Sequence, residues 1–165
     1  MDLIIDASSV INLDNTQGLE LVAGLEGRTL CLSPLVVSEC QPTCAAELLR
    51  LQRAGLIRFV DPSEISAESF LELLEAHRLG EGETECLTLC LSASYVFCSD
   101  DNRARQVAVA LIGAGRVVGS IRLLKWCVAN GRITPEAAFT MYQKMKAAGG
   151  FLPELMLEWF LDADE

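Results

Sequence analysis

Apolar positions along this chain fall into short unbroken runs, and most runs give way to a stretch with helical spacing. "DLIID" (residues 2–6), "RTLCLSP" (28–34), "IRFVDPS" (57–63), "YVFCS" (95–99) and "RVVGS" (116–120) read as strands. Between them lie helical patterns: residues 8–13, "GLELVAGLEG" (18–27), "PLVVSEC" (34–40), "AAELLRLQRAGL" (45–56), "SAESFLELLEAH" (66–77), "ETECLTLCLSA" (83–93) and "NRARQVAVALIG" (102–113). After Ser120 every pattern is helical: residues 121–131, then 134–149, where Thr134 can cap and Pro135 suits the first turn, and finally 152–165. This alternation predicts an α/β fold: a central parallel sheet of about four or five strands, helices on both faces and a helical C-terminal tail. Runs such as "LII" and "YVF", apolar throughout, fit strands covered on both sides. A single domain is expected over residues 1–148. Residues 149–165 form a final helix whose Leu152, Leu155, Leu157, Trp159 and Phe160 would pack on the body or on a partner.

Composition supports one folded domain: 165 residues, 51% of them hydrophobic. No apolar run reaches the ~18 residues of a membrane span. The opening "MDLIIDASSV" lacks the basic stretch and cleavage site of a secretory signal, so a cytoplasmic location is expected. Seven cysteines, none in a C-x-x-C pair, suit buried thiols better than a zinc site or disulfides, with only His77 to help. His77 itself suits a surface helix position. The net charge of −10 is opposite to the usual footprint of a nucleic-acid binder.

Charged chemistry concentrates at strand ends. Asp6 closes "LII" and Asp100 follows "YVFCS", and in open α/β sheets ligands bind beyond the carboxyl ends of strands. Glu39 sits in the apolar helical stretch "PLVVSECQP", and Glu83 opens a helix in "GEGETE", bracketed by Glu81 and Glu85. Each has an ordinary alternative: Asp6 and Asp100 as helix N-caps, Glu39 as a surface residue, the glutamate cluster as a solvated helix start. Taken jointly, four acids from separate segments would meet on one sheet edge, where they repel unless a divalent cation such as Mg²⁺ or Mn²⁺ neutralises them. Carboxylate-held metal activates water for phosphoryl displacement without a histidine, serine or cysteine nucleophile. No G-x-x-x-x-G-K-[ST] loop and no strand–G-x-G-x-x-G–helix arrangement is present, so nucleotide hydrolysis of that kind and dinucleotide binding are set aside.

"LIIDASSVINL", "VVSECQP", "LGEGETECLTLCLSA" and "VFCSDDNRARQVA", in that order, resemble the PIN-domain family of metal-dependent ribonucleases. More narrowly they resemble the branch near the VapC toxins that carries G-E-x-E and D-D-x-x-A-R segments. "VVGSIRLLKWCVANGRI" and "GFLPELMLEWFL" extend the likeness over nearly the whole chain. The resemblance implies metal ligation and catalysis by Asp6, Glu39, Glu83 and Asp100. Glu85 rivals Glu83 for the third place, and Ser8 and Asp101 would support the site. Arg103 and Arg105 would stand at its mouth to meet RNA, or lie as solvated helix arginines.

The leading expectation is therefore a PIN-type, toxin-like endoribonuclease using Mg²⁺ or Mn²⁺. Its rim would be a local patch of Arg103, Arg105, Lys144 and Lys146, pooled in a homodimer. The alternative is an inactive PIN-like module that acts through a protein partner such as a small antitoxin. A receiver or haloacid-dehalogenase domain is disfavoured, because "DASSV" offers neither an acidic pair nor D-x-D.

Overall fold

The structure is a computed structural model describing residues 1–162, with residues 41–43 described by their backbone alone. Five strands form one all-parallel sheet: β1 (Asp2–Ile5), β2 (Thr29–Leu32), β3 (Ile57–Phe59), β4 (Val96–Cys98) and β5 (Val117–Val118), in the spatial order β3-β2-β1-β4-β5. The chain steps outward from β1 through β2 to β3, then returns to the other side of β1 for β4 and β5. That reversal opens a crevice beyond the carboxyl ends of β1 and β4, the place where open parallel sheets receive ligands. Leu3, Ile4, Ile5, Phe97 and Cys98 are fully buried, as expected for central strands covered on both faces.

The helices are α1 (Ala7–Asp14), α2 (Leu19–Ala23), α3 (Pro34–Arg53), α4 (Ala67–His77), α5 (Glu81–Ser92), α6 (Asn102–Ile112), α7 (Ser120–Ala129), α8 (Pro135–Ala147) and α9 (Glu158–Leu161). Two segments expected as separate helices, 34–40 and 45–56, are one helix, α3, bent where Cys44 takes non-helical angles (φ −129°, ψ 16°). Thr134 caps α8 through the Ala137 N–H with Pro135 in the first turn, as its sequence predicts.

The final helix is shorter than the spacing of its apolar residues suggests. Residues 150–156 run without regular structure, and helix returns only at Glu158–Leu161; the remainder of the expected helix, residues 163–165, lies outside the described residues. Pro153 supplies no N–H for a helical ladder. Instead the Tyr142 hydroxyl on α8 donates to Pro153 O (2.7 Å) and accepts from Leu155 N–H (3.0 Å), tying the segment to α8. Phe160 is buried against Phe139 and Tyr142, while Trp159 covers Lys125 of α7, so the tail docks on the body. All seven cysteines are buried. Among the described residues no helix is long and apolar enough to cross a membrane.

Candidate metal and phosphodiester site

Asp6 follows the last residue of β1 and is itself buried, 2% exposed. It caps α1, and one oxygen, Oδ2, collects three donors: the Ser8 hydroxyl (2.7 Å), the Ser99 hydroxyl (3.0 Å) and, more distantly, the Ser8 N–H (3.4 Å). The two serines also reach the adjacent strand end, since Asp100 N–H donates to Ser8 Oγ (3.1 Å) and Asp101 N–H to Ser99 Oγ (3.1 Å). A small polar lattice thus fixes the ends of β1 and β4 to each other. Ser8, two residues after Asp6, thus joins that acid to the backbone of Asp100. Ser99 was not anticipated, although its place between a buried strand and two acids was a usable signal.

The paired aspartates divide their duties. Asp101 is the N-cap of α6, accepting from Ala104 N–H (2.8 Å). Asp100 is not a cap for that helix. Its Oδ1 accepts from Ser120 N–H (2.8 Å) at the start of α7, and its Oδ2 from the Asn12 side chain (2.8 Å) on α1. Gly119 permits this approach, because a Cβ there would stand 2.7 Å from Asp100 Oδ1. Neither Asn12 nor Gly119 was singled out by the sequence.

Glu39 and Glu83 approach from the other side of the crevice. Glu39 Oε1 accepts from Gly82 N–H in the first turn of α5 (3.1 Å), and an added Cβ on Gly82 would meet both Glu39 oxygens at 2.8 Å. Glu83 folds back to accept from Gly80 N–H (3.0 Å). Glu85 is buried and turned elsewhere, accepting from Leu35 N–H (2.8 Å) at the N-terminus of α3, an end with no side-chain cap of its own. Of the rivals, Glu85 caps α3 and Glu83 bonds back to Gly80 N–H, and the charges of both act on neighbouring acids of the crevice, Glu85 on Glu39 and Glu83 with Asp6, Asp101 and Glu39.

Burial pushes the Asp6 carboxyl above its ordinary range despite its serine partners. Burial also raises Glu39, helped by the like charges of Asp6, Glu81 and Glu85, and raises Glu83, helped by Asp6, Asp101 and Glu39. Among the described residues, no three of His, Cys, Asp or Glu stand close enough together to enclose an ion. Asp6, Glu39, Glu83 and Asp100 are each held by donors of their own. Carboxylate oxygens on separate elements are nevertheless donors that suit a hard divalent cation, and at Asp6, Glu39 and Glu83 burial disfavours the charge that such an ion would offset.

The arginines differ. Arg105 is half-buried and its Nη1 donates to Ser99 O (2.9 Å) and to Val118 O, strapping the ends of β4 and β5. Arg103 is exposed, donates to His77 O (2.9 Å), and lines a cleft of about 540 Å³ together with Asp100. Lys146 pairs with Glu154.

No curated protein and no solved structure matches the chain. A family model described as PIN domain matches residues 2–164. A parallel sheet that delivers Asp6 and Asp100 to its topological break, and a match running essentially end to end, lead to one conclusion: the chain belongs to the PIN-domain family, a nuclease fold.

Proposed function

We propose that this PIN-domain protein is a metal-dependent endoribonuclease hydrolysing RNA phosphodiesters, with Mg²⁺ or Mn²⁺ held by Asp6, Glu39, Glu83 and Asp100. A bound divalent cation would supply water activation and neutralise charge on the phosphodiester. The protein's part is positional. Ser8 and Ser99 hold Asp6 in one orientation, and Ser120 N–H with Asn12 holds Asp100. Glu39 and Glu83 complete the set from facing helices, and Arg103 and Arg122 are the cations a phosphate beside Asp100 would meet. The observation that carries this reading is the PIN-domain match over residues 2–164, on a sheet whose adjacent strands β1 and β4 lead into Asp6 and Asp100. A toxin-like role, with a small antitoxin as partner and a homodimer as the working form, belongs to the same proposal.

A second reading is a PIN-like module without catalysis, acting through a protein partner. It draws on the separate hydrogen bonds that each carboxylate makes within the protein.

Two measurements separate them. Mn²⁺ is expected to raise the melting temperature of the wild type and not of Asp6→Asn. Wild-type protein with Mn²⁺ is expected to cut RNA, and Asp100→Asn to lose at least about 100-fold of that rate, the scale of a lost electrostatic contact to the transition state. Equal thermal shifts in wild type and Asp6→Asn would remove Asp6 from the site. A metal-stabilised protein that cuts no RNA would favour the second reading.

A further inference from the structure

Phe151 is 90% exposed, more than any other large apolar side chain described. The ring is not on a loose end. Gly149 takes a left-handed conformation (φ +98°), and Gly150 lies so close to Asn12 that an added Cβ would meet Asn12 Oδ1 at 2.7 Å. Leu152 N–H returns to Gly150 O (3.0 Å), and Tyr142 grips the chain beyond. The same Asn12 that seats Gly150 donates to Asp100, so the turn carrying Phe151 and the acid at the end of β4 share one anchor.

Two clefts meet at this ring. One, about 540 Å³, is lined by Asp100, Arg103 and the exposed Asn15 and Asn102; the other, about 280 Å³, by Asp100, Arg105, Arg122 and Trp159. Phe151 and Asp100 belong to both.

We propose that Phe151 is a stacking platform for an unpaired nucleobase of single-stranded RNA, placed so that the neighbouring phosphate lies toward Asp100. This subsite rests on the nuclease reading above and names its substrate class. The physical reason is the charge of the molecule: at −10 overall, attraction to phosphates contributes little, and contact with the faces of bases, which does not depend on phosphate charge, must contribute more. A duplex hides those faces within its stack, whereas an unpaired base presents one to an aromatic ring. Asn15, Asn102 and Arg103 supply amide and guanidinium groups for base edges and ribose hydroxyls beside it.

The test compares wild type, Phe151→Ala, Phe151→Trp and Phe151→Leu. Binding is read by fluorescence anisotropy on a labelled single-stranded oligoribonucleotide, on its duplex and on a strand of equal length lacking bases; cleavage is read with Mn²⁺. Phe151→Ala is expected to weaken single-strand binding about 10-fold, the scale of one lost base–aromatic stack, and to raise KM with kcat little changed. Phe151→Trp should restore binding and Phe151→Leu should not. All four proteins should melt alike, and the baseless strand should bind wild type and Phe151→Ala equally. Phe151→Ala binding the single strand as tightly as wild type, while cleavage persists, would overturn the platform and leave the nuclease standing. Phe151→Leu matching Phe151→Trp, or the duplex binding as well as the single strand, would overturn it too. So would a Phe151→Ala protein that keeps its RNA affinity but loses a co-purifying protein partner. A wild type with neither RNA cleavage nor an Mn²⁺ thermal shift would remove the nuclease reading, and the subsite with it.

Discussion

Asp6 and Asp100 end neighbouring strands, yet their surroundings treat their charge differently: Asp6 is buried with two hydroxyls, Asp100 half-open with a helix N-terminus and an amide. Their places were legible from the chain because an acid closing an apolar run, at once for Asp6 and after Ser99 for Asp100, is a local pattern. Asn12 was not, because its partner lies 88 residues away and nothing local distinguishes it from a helix residue facing solvent. The raised carboxyls make a pH prediction. Asp6, Glu39 and Glu83 titrate higher in the folded protein than in the unfolded chain, where carboxyls sit near ~4. Their contribution to stability is therefore fully present below that unfolded value and is lost as pH rises through the raised native values. Glu47, Asp61, Glu64 and Glu136, held low by hydrogen bonds, contribute the opposite way, but their effect is complete above ~4 and is lost only in more acidic solution. As pH falls through the raised native values toward ~4 the raised group decides. The melting temperature of metal-free protein is expected to climb over that approach, and Asp6→Asn to flatten the climb. A steady fall from neutrality down to ~4 in chelator would contradict the raised carboxyls.

Strand and helix order was almost fully readable, since buried parallel strands and amphipathic helices carry strong periodic signals. The continuity of α3 past Cys44 and the irregular run at 150–156 were not readable, the latter held by a tyrosine of α8. The meeting of α3 with α5 is of the same kind: Glu39 could be suspected as a ligand, but not that Gly82 would be its seat. That seat can be tested without harming the fold. Gly82 is the second residue of α5, so alanine there favours the helix by up to ~1 kcal/mol. Its Cβ, however, would intrude on both Glu39 oxygens at 2.8 Å, and the far end of that glutamate must swing away. Gly82→Ala is expected to melt at the wild-type temperature or slightly above without metal, and to lose at least about half of the Mn²⁺-induced stabilisation. An unchanged Mn²⁺ shift would exclude Glu39 from the ion's shell, whereas a large drop in the metal-free melting temperature would mean that the Glu39–Gly82 contact serves the fold.

At the scale of the molecule, the sum of charges was legible and their arrangement was not. Twenty-three acids against thirteen lysines and arginines give −10, which by itself speaks against RNA. The structure takes further cations out of play. Arg105 is committed to strand-end carbonyls, Arg50 to Glu20 and Glu47, Arg58 to Glu64, and Lys146 to Glu154. Beside Asp100 the clefts are also lined by Arg103, itself bonded to His77 O, and by Arg122, the cations a phosphate there would meet. Each phosphate neutralised on a single strand lowers the logarithm of affinity by about 0.7 per tenfold rise in salt. An RNA complex of this protein, working through one or two such contacts and an aromatic platform, is expected to show a slope between about −0.7 and −1.4. Titrations of a labelled single strand from 50 to 300 mM KCl, roughly the range over which counterion release is resolved, measure it directly. Arg103→Ala should bring the slope toward zero, and Phe151→Ala should lower affinity with the slope unchanged. A slope near −4, about what six phosphate contacts produce, would require a basic surface that a single copy of the chain does not present at this cleft. Affinity would then have to come from subunits pooling their cations, and the slope should vary with protein concentration as the pooled form dissociates.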